Sequence, residues 1–515
     1  MRLFCCLLVL LASDVRAQVV RSQTISALEG GFPDTLADGD RFGVSAAALG
    51  DLSGDGTVEL AVGATGDAGT GAVWMLSLNS DGTVRDGFAI RLPGTDPGDA
   101  VGTALASVGD LDGDGIPELA VGADRDDDGG ENRGAVWILF LDATGEVRSV
   151  QKISATVGGL TDPPADGDLF GHSVAALGDL DGDGIPDLAV GGDDADDGGP
   201  NRGAVWILFL NADGTVRQTQ RISDTAGGFE GVLDDDDLFG QAVAGVGDLD
   251  GDGTPDLAVA ASLDDDGADG QGAVWVLFLK PDGTVRDHQK ISATAGGFGG
   301  PLDPFDIFGS SLVATGDLDG DGVPDLAVGA NRDDDGGPER GAGWLLFLRR
   351  DGTVRAAQKL SETTGGAVGP FQNGDEWNPT ACLGDLDGDG FSDLVFGSRL
   401  SDAGGPTRGA ARVLFTGAGV DAEASPQSGG LVLDAPFPSP ARTRAEVRFT
   451  LAAPSHVTVR VVDLLGRVRA TLLDGARPAG SHRLGVDVEG WTPGAYLVQV
   501  VTEAGRASRA LVVVR

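Results

Sequence analysis

The chain has 515 residues, 41% of them apolar, which gives ample material for a core but is too long for one ordinary domain unless repeats close into a ring. Asp and Glu total 80 against 36 Lys and Arg, a formal charge of −44; so acidic a chain repels nucleic acid and anionic membranes and attracts cations. Gly is in excess at 85 residues, but it follows no Gly-X-Y period and Pro numbers only 24, which excludes collagen and points to many strands joined by tight turns. Part of the acidity reads as solubility or adaptation to salt, and the rest is clustered at fixed intervals.

Residues 1–17 read as a signal peptide: Arg2 is the positive end, Leu3 to Ala12 the apolar run, and Val15-Arg16-Ala17 the cleavage site before Gln18. That run is too short for a permanent membrane anchor, and no later segment is long and apolar enough for a transmembrane span. Cys5 and Cys6 leave with the signal and only Cys382 remains, so no internal disulfide can form and something else must staple the loops.

From there to residue 418 the chain repeats itself. GDLDGDGIPELAVGA at 109–123 returns at 178–192, 247–261 and 316–330, with weaker copies at 50–64 and 384–398. The leading aspartates (Asp51, Asp110, Asp179, Asp248, Asp317 and Asp385) are separated by 59, 69, 69, 69 and 68 residues. In the third copy four strands are expected: Phe170 to Leu177, Asp187 to Gly191, Ala204 to Leu210 and Val216 to Ile222. The third, AVWILFL, is apolar at odd and even positions alike, so both faces must be buried. Wedge-shaped sheets around an axis meet that demand, with small residues at the crowded centre and Trp and Phe further out. The expected fold class is all-β: a β-propeller over 18–418, of six blades with seven as the alternative, plus a small C-terminal β-sandwich. QTISAL (Gln23 to Leu28) matches the fourth strand of other units and the last unit stops after ARVLF at 411–415, so the N-terminal piece is expected to close the ring.

Phe42-Gly43, Phe170-Gly171, Phe239-Gly240 and Phe308-Gly309 open units, and Gly-Ala-Val-Trp recurs at 71–74, 134–137, 203–206 and 272–275. On these words the chain resembles the FG-GAP repeat of integrin α subunits and many bacterial surface proteins over residues 22–418. Val101 replaces the Phe in the second unit and Glu376-Trp377-Asn378 replaces Phe-Gly in the sixth; integrin propellers of this kind have seven blades, another departure.

Each unit carries Asp-x-Asp-Gly-Asp-Gly-x-x-Asp/Glu. In the second, Asp110, Asp112, Asp114 and Glu118 fall at positions 1, 3, 5 and 9, with the Ile116 carbonyl at position 7. Hard calcium takes six to eight oxygens, and this odd-numbered spacing curls carboxylates around one point. Position 12 is Val121 rather than a bidentate Glu and the flanks read as strands, so these are not EF-hands. Equivalent ligands are Asp179, Asp181, Asp183, Ile185 and Asp187 in unit three, and Asp248, Asp250, Asp252, Thr254 and Asp256 in unit four. Unit five offers Asp317, Asp319, Asp321, Val323 and Asp325, and unit six offers Asp385, Asp387, Asp389, Phe391 and Asp393. In unit one Ser53 replaces an Asp, leaving Asp51, Asp55, Thr57 and Glu59 and the weakest expected site. Up to about six Ca²⁺ are expected, in a role that stabilises the fold. The alternative is an acidic turn with no bound ion. The FG-GAP resemblance implies calcium between the first two strands of a blade.

Two further sets of acidic loops lie at the opposite end of the strands, as in DRDDDGGENRG at 124–134 and DDDDLFG at 234–240. They read as solvated turn carboxylates or as a binding surface, with Arg133, Arg202 and Arg340 pairing with neighbouring aspartates. The FG-GAP resemblance implies that this end meets ligands.

Residues 419–430 read as a linker, after which Arg and Val rise and the repeat vanishes. Alternation in HVTVRVVD, RVRATLL, HRLGVDV and AYLVQVV predicts a β-sandwich over 431–515. With APFPSPARTRAEVRFTL before them and RALVVVR after, these words resemble the C-terminal sorting domain of the type IX secretion system, although Phe437-Pro438-Ser439-Pro440 departs from the usual Asn-Pro start. The resemblance implies that the export machinery is a partner and that the protein is secreted or held on the outer cell surface.

No residue set breaks the repeat to form a catalytic centre: His172, standing where other units have Val44, Gln241 or Ser310, and His288 both read as incidental. The expected function is a calcium-braced binding or adhesion module for an extracellular protein or glycan, with no catalytic residues and no nucleic-acid partner. The alternatives are a secreted propeller hydrolase or lyase and a passive surface-layer protein.

Overall fold

Seven-residue runs such as Ala135–Leu141 and Ala204–Leu210 are buried at every position, and β-branched and aromatic residues buried on both faces form the middle of a sheet rather than its solvated surface. A computed structural model of the chain describes residues 17–366, 368–418, 431–433, 443–451, 454–463, 468–488, 491, 494–502 and 505–513. The expected linker and all of the expected signal peptide but Ala17 lie outside the described residues. The chain divides into two units, Met1–Gly417 and Ala418–Arg515.

In the first unit the described residues form six four-stranded sheets, five of them simple meanders and the sixth a three-stranded meander completed by the N-terminal strand. The first strands (Phe42–Gly50, Leu105–Gly109, Ser173–Gly178, Phe239–Gly247, Phe308–Gly316 and Asn378–Gly384) touch one another in a closed cycle, the sixth returning to the first. This is a six-bladed propeller, and the alternative of seven blades is set aside. The ring closes as the repeats require: Ala17–Ile25 is the outer strand of blade six, beside Ala410–Ala418. It begins earlier than the expected Gln23 and ends at Ile25, where the Ser26 amide donates to the Glu29 carbonyl and turns the chain. Each apolar cluster spans two neighbouring blades; Val205, Ile207 and Phe209 of blade three, for example, meet Phe239, Val259 and Trp275 of blade four.

The Phe-Gly and Gly-Ala words are the clasps between blades. Phe170 was expected in the first strand of blade three, which instead starts at Ser173. Phe170, fully buried, forms a parallel bridge to Gly134 of blade two, and its amide donates to the Arg133 carbonyl. Gly134 has φ +83°, and a Cβ there would lie 2.0 Å from the Phe170 carbonyl oxygen. Only a glycine allows that approach. Val101 and Trp377 are buried in the place of Phe in blades two and six, so the departures in sequence keep the clasp.

In the second unit, Leu431–Leu433, Arg444–Leu451 and Gly480–Asp487 form one sheet, and Ser455–Asp463, Val468–Arg477, Gly494–Thr502 and Gly505–Val513 a second. Val447, Phe449 and Val486 of the first share a core with Val457, Val459, Val498 and Val500 of the second. Two sheets closing on one apolar layer make the expected β-sandwich.

Candidate metal centres

The acidic repeat is the turn between the first and second strands of each blade. Its first aspartate shapes it: Asp110 Oδ1 accepts the amides of Gly113 (2.8 Å) and Asp114 (3.0 Å), and Oδ2 accepts that of Gly115 (2.9 Å). The position-9 carboxylate begins or borders the second strand and is fully buried in blade two as Glu118, where it accepts the Leu111 amide at 2.6 Å. In blade three Asp187 also ties the loop to the third strand, accepting Leu180 N at 3.0 Å and Leu210 N at 3.1 Å. Asp256, Asp325 and Asp393 make the same two bonds in blades four to six.

Positions 1, 3 and 9 converge. In Asp110/Asp112/Glu118, Asp179/Asp181/Asp187, Asp248/Asp250/Asp256, Asp317/Asp319/Asp325 and Asp385/Asp387/Asp393, one oxygen from each residue lies within 4.8 Å of the others. Position 5 is not in these triads. Asp114, Asp183, Asp252, Asp321 and Asp389 each spend Oδ1 on the amide of the position-7 residue: Ile116, Ile185, Thr254, Val323 and Phe391. Blade one has no triad among the described residues. There Asp51 shapes the turn, Asp55 is held by Thr57 and Arg85, and Glu59 Oε1 accepts from Ser77 at 3.0 Å. Ser77 stands where blades two to five carry Phe140, Phe209, Phe278 and Phe347. A hydroxyl thus satisfies in blade one what blade two leaves free, since Glu118 Oε1 is buried and accepts no hydrogen bond; Asp319 Oδ1 and Asp387 Oδ1, at position 3 of blades five and six, are likewise buried without one.

Such acceptors fit a hard cation. Burial first, and the adjacent loop carboxylates second, push Glu118, Asp187, Asp325 and Asp393 up to about 7 and Asp256 to about 6. The backbone amides they accept pull the other way and are outweighed. A divalent ion at this point would reverse the balance and hold the carboxylates ionised.

An arginine that sequence reasoning passed over reaches every loop. Arg148 lies 3.0 Å from Asp112 and 2.7 Å from Asp114; Arg217 lies 2.7 Å from Asp181 and 2.9 Å from Asp183. Arg85, Arg286 and Arg355 serve blades one, four and five in the same way, and Arg21 of the closing strand contacts Asp387 in blade six. The signal was present as the recurring Val-Arg that opens the fourth strand, as in DGTVR at 213–217.

The FG-GAP repeat family model matches residues 42–76, 101–139, 170–208, 239–277, 308–346 and 377–414, one match per blade. The chain is an FG-GAP repeat protein. A second model, the secretion system C-terminal sorting domain, matches 435–514; this type IX tail marks the protein for export to the cell surface or beyond. Among curated relatives, integrin alpha-PS2 of Drosophila melanogaster is 31% identical over 233 residues, which are 44% of this chain and 15% of that protein. Integrin alpha-5 of Xenopus laevis is 34% identical over 31% of this chain and 14% of its own length, and human integrin alpha-IIb 33% identical over 37% and 17%. The chain therefore spans less than a fifth of the length of these relatives. A solved structure of PorZ, described as an essential bacterial surface component of the type-IX secretion system of Porphyromonas gingivalis, covers 91% of this chain and 51% of its own. Its TM-score of 0.35 and 14% identity are too low to show a shared fold. No helix among the described residues is long and apolar enough to cross a membrane.

At the other end of the FG-GAP repeats, many of the acidic loops are neutralised rather than simply solvated. Lys152 on the fourth strand sits 2.8 Å from Asp126 and 3.3 Å from Asp128, with its ammonium over the Trp137 ring. Lys290 and Lys359 repeat this, and Arg221 takes the role in blade three. Arg133 and Arg202 pair with Asp166 and Asp235 as expected, while Arg340 meets Glu362 and Asn373. The last aspartate before each Phe-Gly is a buried turn clip; Asp237 accepts the Asp234 amide at 2.8 Å. His288 lies against Phe229 and Trp275. His172 is not incidental: Nδ1 is 3.1 Å from Asp124 and 3.6 Å from Asp193, and Nε2 is 2.7 Å from the Gln241 amide. Burial alone would depress this imidazole, but Asp193 and Asp124 outweigh it and push it up to about 9.

Proposed function

We propose that this protein is a non-catalytic binding or adhesion module of the cell surface, its propeller braced by calcium in the acidic loops. The observation that carries this reading is the set of five carboxylate triads at one end of a closed ring, each with a fully buried position-9 carboxylate at or beside a strand start. Ions there would lock the inter-strand turns of a propeller with no disulfide among the described residues, where Cys382 is free, and leave the loops of the opposite end to meet a partner. Calcium suits the oxygen-only donor set, and extracellular sites of this kind bind at roughly 10⁻⁴ to 10⁻³ M. The similarity to integrin α chains supports the adhesive part of the reading, and the sorting tail supports contact with the export machinery.

Calorimetric titration of the chelator-stripped chain with Ca²⁺ tests the proposal, with melting followed in parallel. About five sites and a large rise in Tm are expected. No heat and no change in melting at millimolar Ca²⁺ would refute it.

A further inference from the structure

The end of the ring remote from the metal loops opens into a cavity of about 400 Å³, lined by the starts of the first strands of all six blades. That volume is in the range of small-molecule pockets, roughly 300–1,000 Å³. The repeats agree closely elsewhere, yet here they diverge. The residue after Phe-Gly reads Val44, Thr103, His172, Gln241, Ser310 and Pro379 around the ring, and the residue after the second strand reads Thr65, Asp124, Asp193, Ser262, Asn331 and Arg399.

The divergence polarises the cavity. On the side of blades two and three, the His172 charge is met by Asp124 and Asp193. On the side of blades five and six, two half-exposed guanidiniums share one carboxylate: Arg332 lies 4.0 Å and Arg399 3.6 Å from Glu376. One positive charge is left in surplus, in a chain whose formal charge is −44. The same side carries buried polar atoms without a hydrogen-bond partner: Ser311 Oγ, Asn331 Oδ1, Asn378 Oδ1 and Glu376 Oε2. Buried polar atoms left open in this way await a ligand or water. Asn378 stands where the other units keep the Phe-Gly glycine, so blade six adds an amide at a position the repeat leaves bare.

We propose that this axial cavity binds a uronic acid residue, a hydroxyl-bearing carboxylate of monosaccharide size. The guanidiniums of Arg332 and Arg399 hold its carboxylate. The open acceptors of Asn331, Asn378 and Glu376 take its hydroxyl hydrogens, and Val44 and Leu105 offer an apolar wall to the ring. A bare phosphate or sulfate would satisfy the arginines and leave the acceptors unpaired. This rests on the reading of the protein as a binding module and gives that module a ligand class.

The test is calorimetry of the full chain in calcium with D-glucuronate, against D-glucose and propionate, which each lack one half of the recognition. Glucuronate is expected to bind at least tenfold more tightly than either, and Arg332→Gln with Arg399→Gln to weaken it at least tenfold. Asn378→Gly, which restores the repeat's own residue, is the second variant should the arginine pair fold poorly, and is expected to weaken binding several-fold. Equal binding of glucuronate and glucose, or binding indifferent to these substitutions, overturns the proposal. Capture of the chain by immobilised glycans or proteins that neither variant affects would also overturn it, while leaving the binding-module reading in place.

Discussion

Replacing Asp187 separates what the protein contributes to an acidic loop from what a bound ion would contribute. Asp187 is fully buried and accepts the amides of Leu180 and Leu210, so Asp187→Ala leaves two buried N–H groups with no acceptor. Each such loss costs about 1–3 kcal/mol, so on the order of 3 kcal/mol is expected even in chelator. Asp187→Asn keeps one carbonyl acceptor and is expected to cost roughly half as much. Asp183→Ala, on the solvent side of the same loop, removes one exposed turn bond and an arginine contact and should cost under about 1 kcal/mol. Calcium then adds a second difference. At a hundredfold excess over Kd an occupied site stabilises the native state by about 2.7 kcal/mol, and a variant without the site forgoes that gain. The assay is equilibrium urea unfolding followed by tryptophan fluorescence, in chelator and in calcium. A cost below about 1 kcal/mol for Asp187→Ala in chelator would refute the hydrogen-bonding role, and a gap that does not widen in calcium would refute the ion.

Asp237 gives a pH test away from the metal loops: burial first, with the charges of Asp264 and Asp234, pushes its carboxyl up to about 7. The folded state then holds a proton that the unfolded chain releases near pH 4, so stability falls as pH rises from about 4 to about 7 and stays lower above. Asp237→Asn is expected to stabilise the fold at pH 8 by on the order of 1–2 kcal/mol in urea unfolding and to change little at pH 4.5; an equal gain at both would contradict the assignment. For the blade clasp, Gly134→Ala is expected to cost at least about 3 kcal/mol or prevent folding, because its Cβ meets the Phe170 carbonyl. Gly167→Ala, at φ +87° with open space around it, should cost only about 1 kcal/mol by the same unfolding assay.

How much of this was legible in the sequence follows from where each signal sits along the chain. The blades were readable because a period near 69 residues repeats one strand pattern, and Gln23 could be matched to a fourth strand without knowing its neighbours. The triads were readable because positions 1, 3 and 9 lie within one turn. Position 5 was harder to place, since an aspartate two residues before an amide bonds to it locally, and Asp114 does so with Ile116. Arg148 escaped notice because it comes 36 residues after Asp112, across two strands, and only the antiparallel return of the sheet brings them together. The expected first strand of blade three starts too early: Phe170 bridges Gly134 of the neighbouring blade but, unlike Phe239 with Ala261, has no ladder partner in its own sheet, whose register begins at Ser173 and Gly191. His172 was the hardest of all. Within its own repeat it is one substitution among several, and its partners Asp124 and Asp193 belong to the second-strand ends of blades two and three. A ring of near-copies conceals an asymmetric cavity in this way, because each blade contributes only a few changes and they acquire a common meaning only around the axis.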